Sequence, residues 1–190
     1  RARYYQAIAR EIQILQQRPG RKLMSLEQSS WDTWLFLATP NAQLTNHDNA
    51  TISYYNKGEI VGLLLDLEIR MRTSNRRSLD DVFRYMYQEY YQRGRSDSYY
   101  LKGKGFAHGD FLRIVNRVAG SDFTDFFNAY VSGTEEIDYN RFFAYAGLKI
   151  EEGKSGTAYM IKELPHANEQ QIQLRNLWLG DLAISTQAGK

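Results

Sequence analysis

At 190 residues and 22.1 kDa, with 43% hydrophobic and 14% aromatic residues, the chain is long enough to fold as one ordinary domain around its own core. Its 24 Lys and Arg against 22 Asp and Glu leave a net charge of +2, too little for the basic face of a nucleic-acid-binding protein, and no apolar run approaches the roughly 20 residues that span a bilayer. Neither nucleic acid nor a membrane is therefore an expected partner, and the absence of cysteine excludes thiolate metal sites, thiol nucleophiles and disulfides.

A helical period runs through nearly the whole sequence. Tyr5, Ile8, Ile12 and Leu15 recur at three- and four-residue spacing and predict an amphipathic first helix that stops at Arg18-Pro19-Gly20. The sequence opens inside this pattern, at Arg1-Ala2-Arg3-Tyr4-Tyr5, so the true N-terminus and any export signal are expected upstream, and the compartment stays open. A second helix is predicted from near Ser25, where Gln28 completes a capping box, through Trp31, Trp34 and Leu35 to Pro40; a polar loop follows over 41–51. The third runs from about Tyr54 to Met71, and its centre, Ile60 to Leu65, is apolar on most sides, which predicts burial within a helical layer. A fourth starts at Ser78, with Asp81 as its capping partner, and continues through Phe83, Met86, Tyr87 and Tyr90 to a stop at Gly94. After a predicted loop over 93–105 come three shorter helices, at about 109–119, 121–131 and 138–146. Strand signals are nearly missing. The fold class is all-α, a helical bundle or array.

The 14 tyrosines cluster in pairs, Tyr4-Tyr5, Tyr54-Tyr55, Tyr90-Tyr91 and Tyr99-Tyr100. A large apolar body with a polar tip suits half-buried helix faces and cleft walls. The basic run from Arg70 to Arg77 closes the third helix, and the helix dipole accounts for Arg70 and Arg72 without any phosphate partner. Asp66 and Glu68 are expected to be structural, either facing solvent or pairing with Arg70 or Arg72 one turn on. A catalytic zinc needs about three converging protein ligands, usually with two imidazoles on one helical face. His47, His108 and His166 do not meet that spacing, and no metal ligand is assigned in this chain.

The run Ile52-Ser53-Tyr54-Tyr55-Asn56-Lys57-Gly58-Glu59-Ile60-Val61, leading into Gly62-Leu63-Leu64-Leu65-Asp66-Leu67-Glu68-Ile69-Arg70, resembles a segment of the glycyl aminopeptidase family of zinc metallopeptidases. Ser78 to Val82, Gly105-Phe106, Asp110-Phe111, Val118 to Phe127, Tyr130 to Tyr139 and Ala146-Gly147-Leu148 follow in the order of that family, so the resemblance extends from about Tyr4 to about Ile150. It implies the C-terminal α-subdomain of a thermolysin-like (gluzincin) catalytic domain over residues 1–150. It also implies a parent enzyme that removes small N-terminal residues such as glycine from peptides, with zinc held by a His-Glu-x-x-His helix and a more distant Glu in an N-terminal half that lies upstream. Residues 151–190 are then a tail flanking a missing PDZ-type module: 40 residues are too few to hold one, Leu164-Pro165 and Gln173 to Gly180 resemble the end of some members, and a segment between about Tyr159 and Glu163 is expected to be absent. Without the zinc-bearing half the chain alone is expected to be inactive and, with an apolar face uncovered, to self-associate. The alternative is a non-catalytic helical scaffold or interaction module.

Candidate site residues follow from the same comparison. The related aminopeptidase N group carries a transition-state tyrosine in a Tyr-x-Lys-Gly setting, which Tyr55-Asn56-Lys57-Gly58 matches. Tyr55 is the expected donor to the developing oxyanion, with Tyr54 as the alternative, because neighbouring helical residues point about 100° apart and only one can face a given site. Lys57 is expected to anchor the helix head or a nearby carboxylate, and Gly58 to admit a close neighbour. The competing reading is a tyrosine pair that packs over a helix start. Glu135 and Glu136 are candidates for binding the cationic N-terminus of a substrate, against an ordinary acidic turn that complements a helix dipole.

Overall fold

A computed structural model describes residues 1–38, 47–94, 99–101, 105–153 and 158–180. Helix α1, Ala2–Gln16, buries Tyr5, Ile8, Ala9, Ile12 and Leu15, the stripe that its spacing predicts. A short 3-10 turn, Pro19–Lys22, leads to α2, Leu26–Ala38. The expected capping box of α2 is half formed: Ser25 Oγ accepts from Gln28 N at 3.0 Å, while the Gln28 amide donates to Asp32 instead. Residues 41–46 of the predicted polar loop lie outside the described residues, and its end is a single helical turn, α3, His47–Ala50.

The centre of the fold is α4, Tyr54–Arg72, which buries Ile60, Val61, Leu64, Leu65, Leu67 and Ile69. Such all-round burial needs neighbours on several sides, and α1, α2, α5 and α8 all pack against it. Helix α5, Leu79–Met86, starts at the predicted cap: Ser78 N donates to Asp81 Oδ2 at 2.9 Å. It passes into a π-helical turn, Tyr87–Gln92, rather than running on as regular helix to Gly94. Helices α6, Asp110–Ala119, α7, Thr124–Tyr130, and α8, Tyr139–Tyr145, fall where the periodicity predicts them.

Both acids of the α4 centre are structural. Asp66 pairs with Arg70 at 2.9 Å and accepts from Leu79 N at 2.7 Å, so it also caps α5. Glu68 is fully buried and takes Arg72 at 2.7 Å and Arg141 of α8 at 3.4 Å. Arg72 in turn lies over the Phe123 ring and donates to the Asp122 carbonyl at 2.6 Å. A buried carboxylate is tolerable only with such partners.

The near absence of strand signals needs one correction. Strands β1, Leu148–Glu152, and β2, Tyr159–Glu163, form an antiparallel pair in which Ile150 lies opposite Ile161. Leu148, Ile150 and Ile161 are buried while charged residues alternate with them, the period-2 pattern of a half-buried hairpin. The stretch Tyr159–Glu163 is thus a continuous strand, and it packs against α1. Helix α9, Glu169–Trp178, closes the fold with Leu174 and Arg175 buried.

Candidate functional site

The segment 51–58 is fixed from four sides before it presents anything. A methyl group at Gly20 would sit 2.4 Å from the Thr51 carbonyl oxygen, so glycine is what lets the turn after α1 lie against this strand-like approach. Ser29 Oγ, buried, donates to the Ile52 carbonyl at 2.6 Å. Ser53 caps α4 by accepting from Asn56 N, and the buried Asn56 amide donates to the Glu11 carbonyl at 3.0 Å and its carboxylate at 2.6 Å. Lys57 enters from the fourth side: its buried ammonium lies 3.5 Å from the Gly133 carbonyl oxygen. Burial lowers its pKa, and the Glu136 charge opposes that shift. At Gly58 a methyl group would meet Leu26 Cδ1 at 3.7 Å, an ordinary contact.

Against this rigid head Tyr55 is 74% exposed. Its ring lies over that of Tyr54, with centroids 4.2 Å apart. The neighbouring Tyr55 hydroxyl, with some desolvation, raises the pKa of Tyr54. Trp31, Trp34 and Leu35 on one face of α2 are exposed as well, at 72%, 78% and 65%. The sequence pattern singles out these residues, but not that they face outward.

The acidic pair sits apart from the tyrosines. Glu136 is bound by Arg21 at 3.1 Å, while the carboxylate of Glu135 has no hydrogen bond or ion pair among the described residues. Both lie on the loop under Lys57, and Lys57 is about 200° round the helix from Tyr55. The structure therefore brings Lys57 together with the loop 133–136, and Tyr54 with Tyr55, without joining the two groups. Asn56, Ser29, Gly20 and Glu11, which hold the head, escape the sequence reading; the one local signal that could have found any of them is Ser53 at cap position three residues before Asn56.

Among the described residues no group of three or more His, Cys, Asp or Glu could hold a metal ion. His108 pairs loosely with Glu27 at 3.5 Å and is exposed, as is His166. The described residues do not fit a zinc site.

Comparison with known proteins bears directly on this head. The sequence model of the M61 glycyl aminopeptidase family matches residues 1–61, which include the tyrosine pair, Lys57 and Gly58. A crystal structure of an aminopeptidase N family protein from Idiomarina loihiensis superposes with a TM-score of 0.66 at 20% identity, covering 80% of this chain and 24% of that one. The two share a fold over that region, and this chain spans about a quarter of that structure's length. No curated protein matches. No helix among the described residues is long and apolar enough to cross a membrane.

Proposed function

We propose that this chain is the helical cleft wall of a metallo-aminopeptidase acting on peptides with a small N-terminal residue such as glycine. The observation that carries the reading is Tyr55, presented at the head of a locked helix inside the M61-matched segment. In this reading the Tyr55 hydroxyl donates to the scissile carbonyl oxygen as that oxygen gains negative charge. A donor already held in place costs no reorganisation during reaction. Lys57, beneath the head, keeps α4 against the loop 133–136. Glu135, whose carboxylate is not engaged, is the better placed of the acidic pair to meet a substrate ammonium group, and Glu136 secures Arg21. The zinc expected of the parent enzyme belongs to residues outside this chain. Within the same reading, residues 151–190 flank a PDZ-type module of the longer protein.

The exposed face of Trp31, Trp34 and Leu35 on α2 is then the surface that the remaining, zinc-bearing part covers. Acrylamide quenching of tryptophan fluorescence tests this. In the dilute chain two of the three tryptophans should be quenched freely, and in the whole gene product they should be protected. Equal quenching in both overturns the assignment of that face. Left uncovered, the same face should draw chains together, so a single monomer mass by light scattering at high concentration contradicts the self-association that goes with it.

A further inference from the structure

A cavity of about 280 Å³ is walled by Arg77, Asp81, Arg84, Tyr85, Gln88, Arg117 and Val118, none of them in the segment 51–58 or the loop 133–136. Its lining comes from the turn after α4, from α5 and the π-helical turn that follows it, and from α6. Its three arginines come from three elements: Arg77 from the turn before α5, Arg84 from α5 and Arg117 from α6. The basic run of the sequence shows only the first of them.

Three cations thus share a wall with one carboxylate, and that carboxylate is already committed. Asp81 Oδ2 accepts from Ser78 N at the start of α5, and Asp81 Oδ1 pairs with Arg84 at 2.7 Å. The Arg117 guanidinium lies over the Tyr85 ring, 5.0 Å from its centroid, a stacking that fixes its plane. Neither Arg77 nor Arg117 has an acidic partner among the described residues. Like charges gathered around one concavity raise the potential inside it and favour an anion.

We infer that this cavity is a binding site for a phosphate monoester. A net of two positive charges suits a dianion, and guanidinium forks match the several oxygens of a phosphate. Tyr85, Gln88 and Val118 leave a mixed apolar and amide wall for the group that carries the phosphate. This inference does not depend on the peptidase reading.

Isothermal titration with phenyl phosphate at constant ionic strength tests it. The expected result is saturable one-to-one binding, weakened about tenfold or more in the double variant Arg77→Gln/Arg117→Gln. Gln88→Glu, at an exposed helical position, brings a carboxylate to the same wall without removing an arginine and should weaken binding comparably. Circular dichroism checks that each variant is folded. Phosphatidic acid vesicles, offered at equal phosphate concentration, separate the sources: sedimentation with them assigns the phosphate to a lipid headgroup, and its absence to a soluble ester. Heats that do not saturate, or an affinity unchanged in both folded variants, overturn the site.

Discussion

Tyr55→Phe should lower kcat for a glycyl substrate by about a hundredfold or more in the whole gene product, which corresponds to about 3 kcal/mol of lost transition-state stabilisation. KM should change little, because the hydrogen bond forms with an oxygen that is strongly basic only in the transition state. Metal content should not change, since Tyr55 stands on a helix head fixed by Ser29, Asn56 and Gly20 rather than by its own ring. Tyr54→Phe should cost less, because Tyr55 is the exposed ring of the pair and Tyr54 is half-buried. If Tyr54→Phe were the more damaging of the two, the roles in the pair would be exchanged. If both kept the wild-type rate, the pair would revert to packing over the start of α4.

Phe142→Ala should destabilise the chain by about 3 to 5 kcal/mol. Phe142 is fully buried and lies edge-on to Phe126 and Tyr130, with centroids 5.9 Å away in each case. Tyr145 meets the same ring, and Arg141 lies over it. Removing the ring deletes its buried area and the aromatic contacts together, and the helices around it cannot close the space without moving α7 against α8. For a chain of this size the melting temperature should fall by about 10 °C or more. Tyr100→Ala, at a ring 89% exposed, is the control and should stay within about 0.5 kcal/mol. A Phe142→Ala loss no larger than that of the control would mean that this cluster does not hold the C-terminal half of the fold.

The helices were legible because their signals are local. Tyr5, Ile8, Ile12 and Leu15 lie on one face by arithmetic, and α4 occupies Tyr54–Arg72 where an apolar run meets a basic end. The pairing of Asp66 and Glu68 one turn on was equally readable, although the reach of Glu68 to Arg141 was not. The hairpin was missed because each strand is only five residues long, and Leu148, Ile150, Tyr159 and Ile161 alternate too briefly to compete with the helical period around them. In the candidate site, the tyrosine pair and Lys57 could be named from the family resemblance, but exposure could not. Nothing local makes Tyr55 face outward while Lys57 is buried two residues later; that depends on Glu11, Ser29 and Gly133, which are distant in sequence. The arginine cavity is a tertiary feature for the same reason.

The central claim, that this chain is one wall of a metallo-aminopeptidase cleft, is tested most directly by glycyl-p-nitroanilide hydrolysis with metal analysis, on the whole gene product beside the isolated chain. The account predicts chelator-sensitive hydrolysis by the whole product and none by the chain. Hydrolysis by the isolated chain at a comparable rate, or a folded, metal-loaded whole product that leaves the substrate untouched, would contradict it.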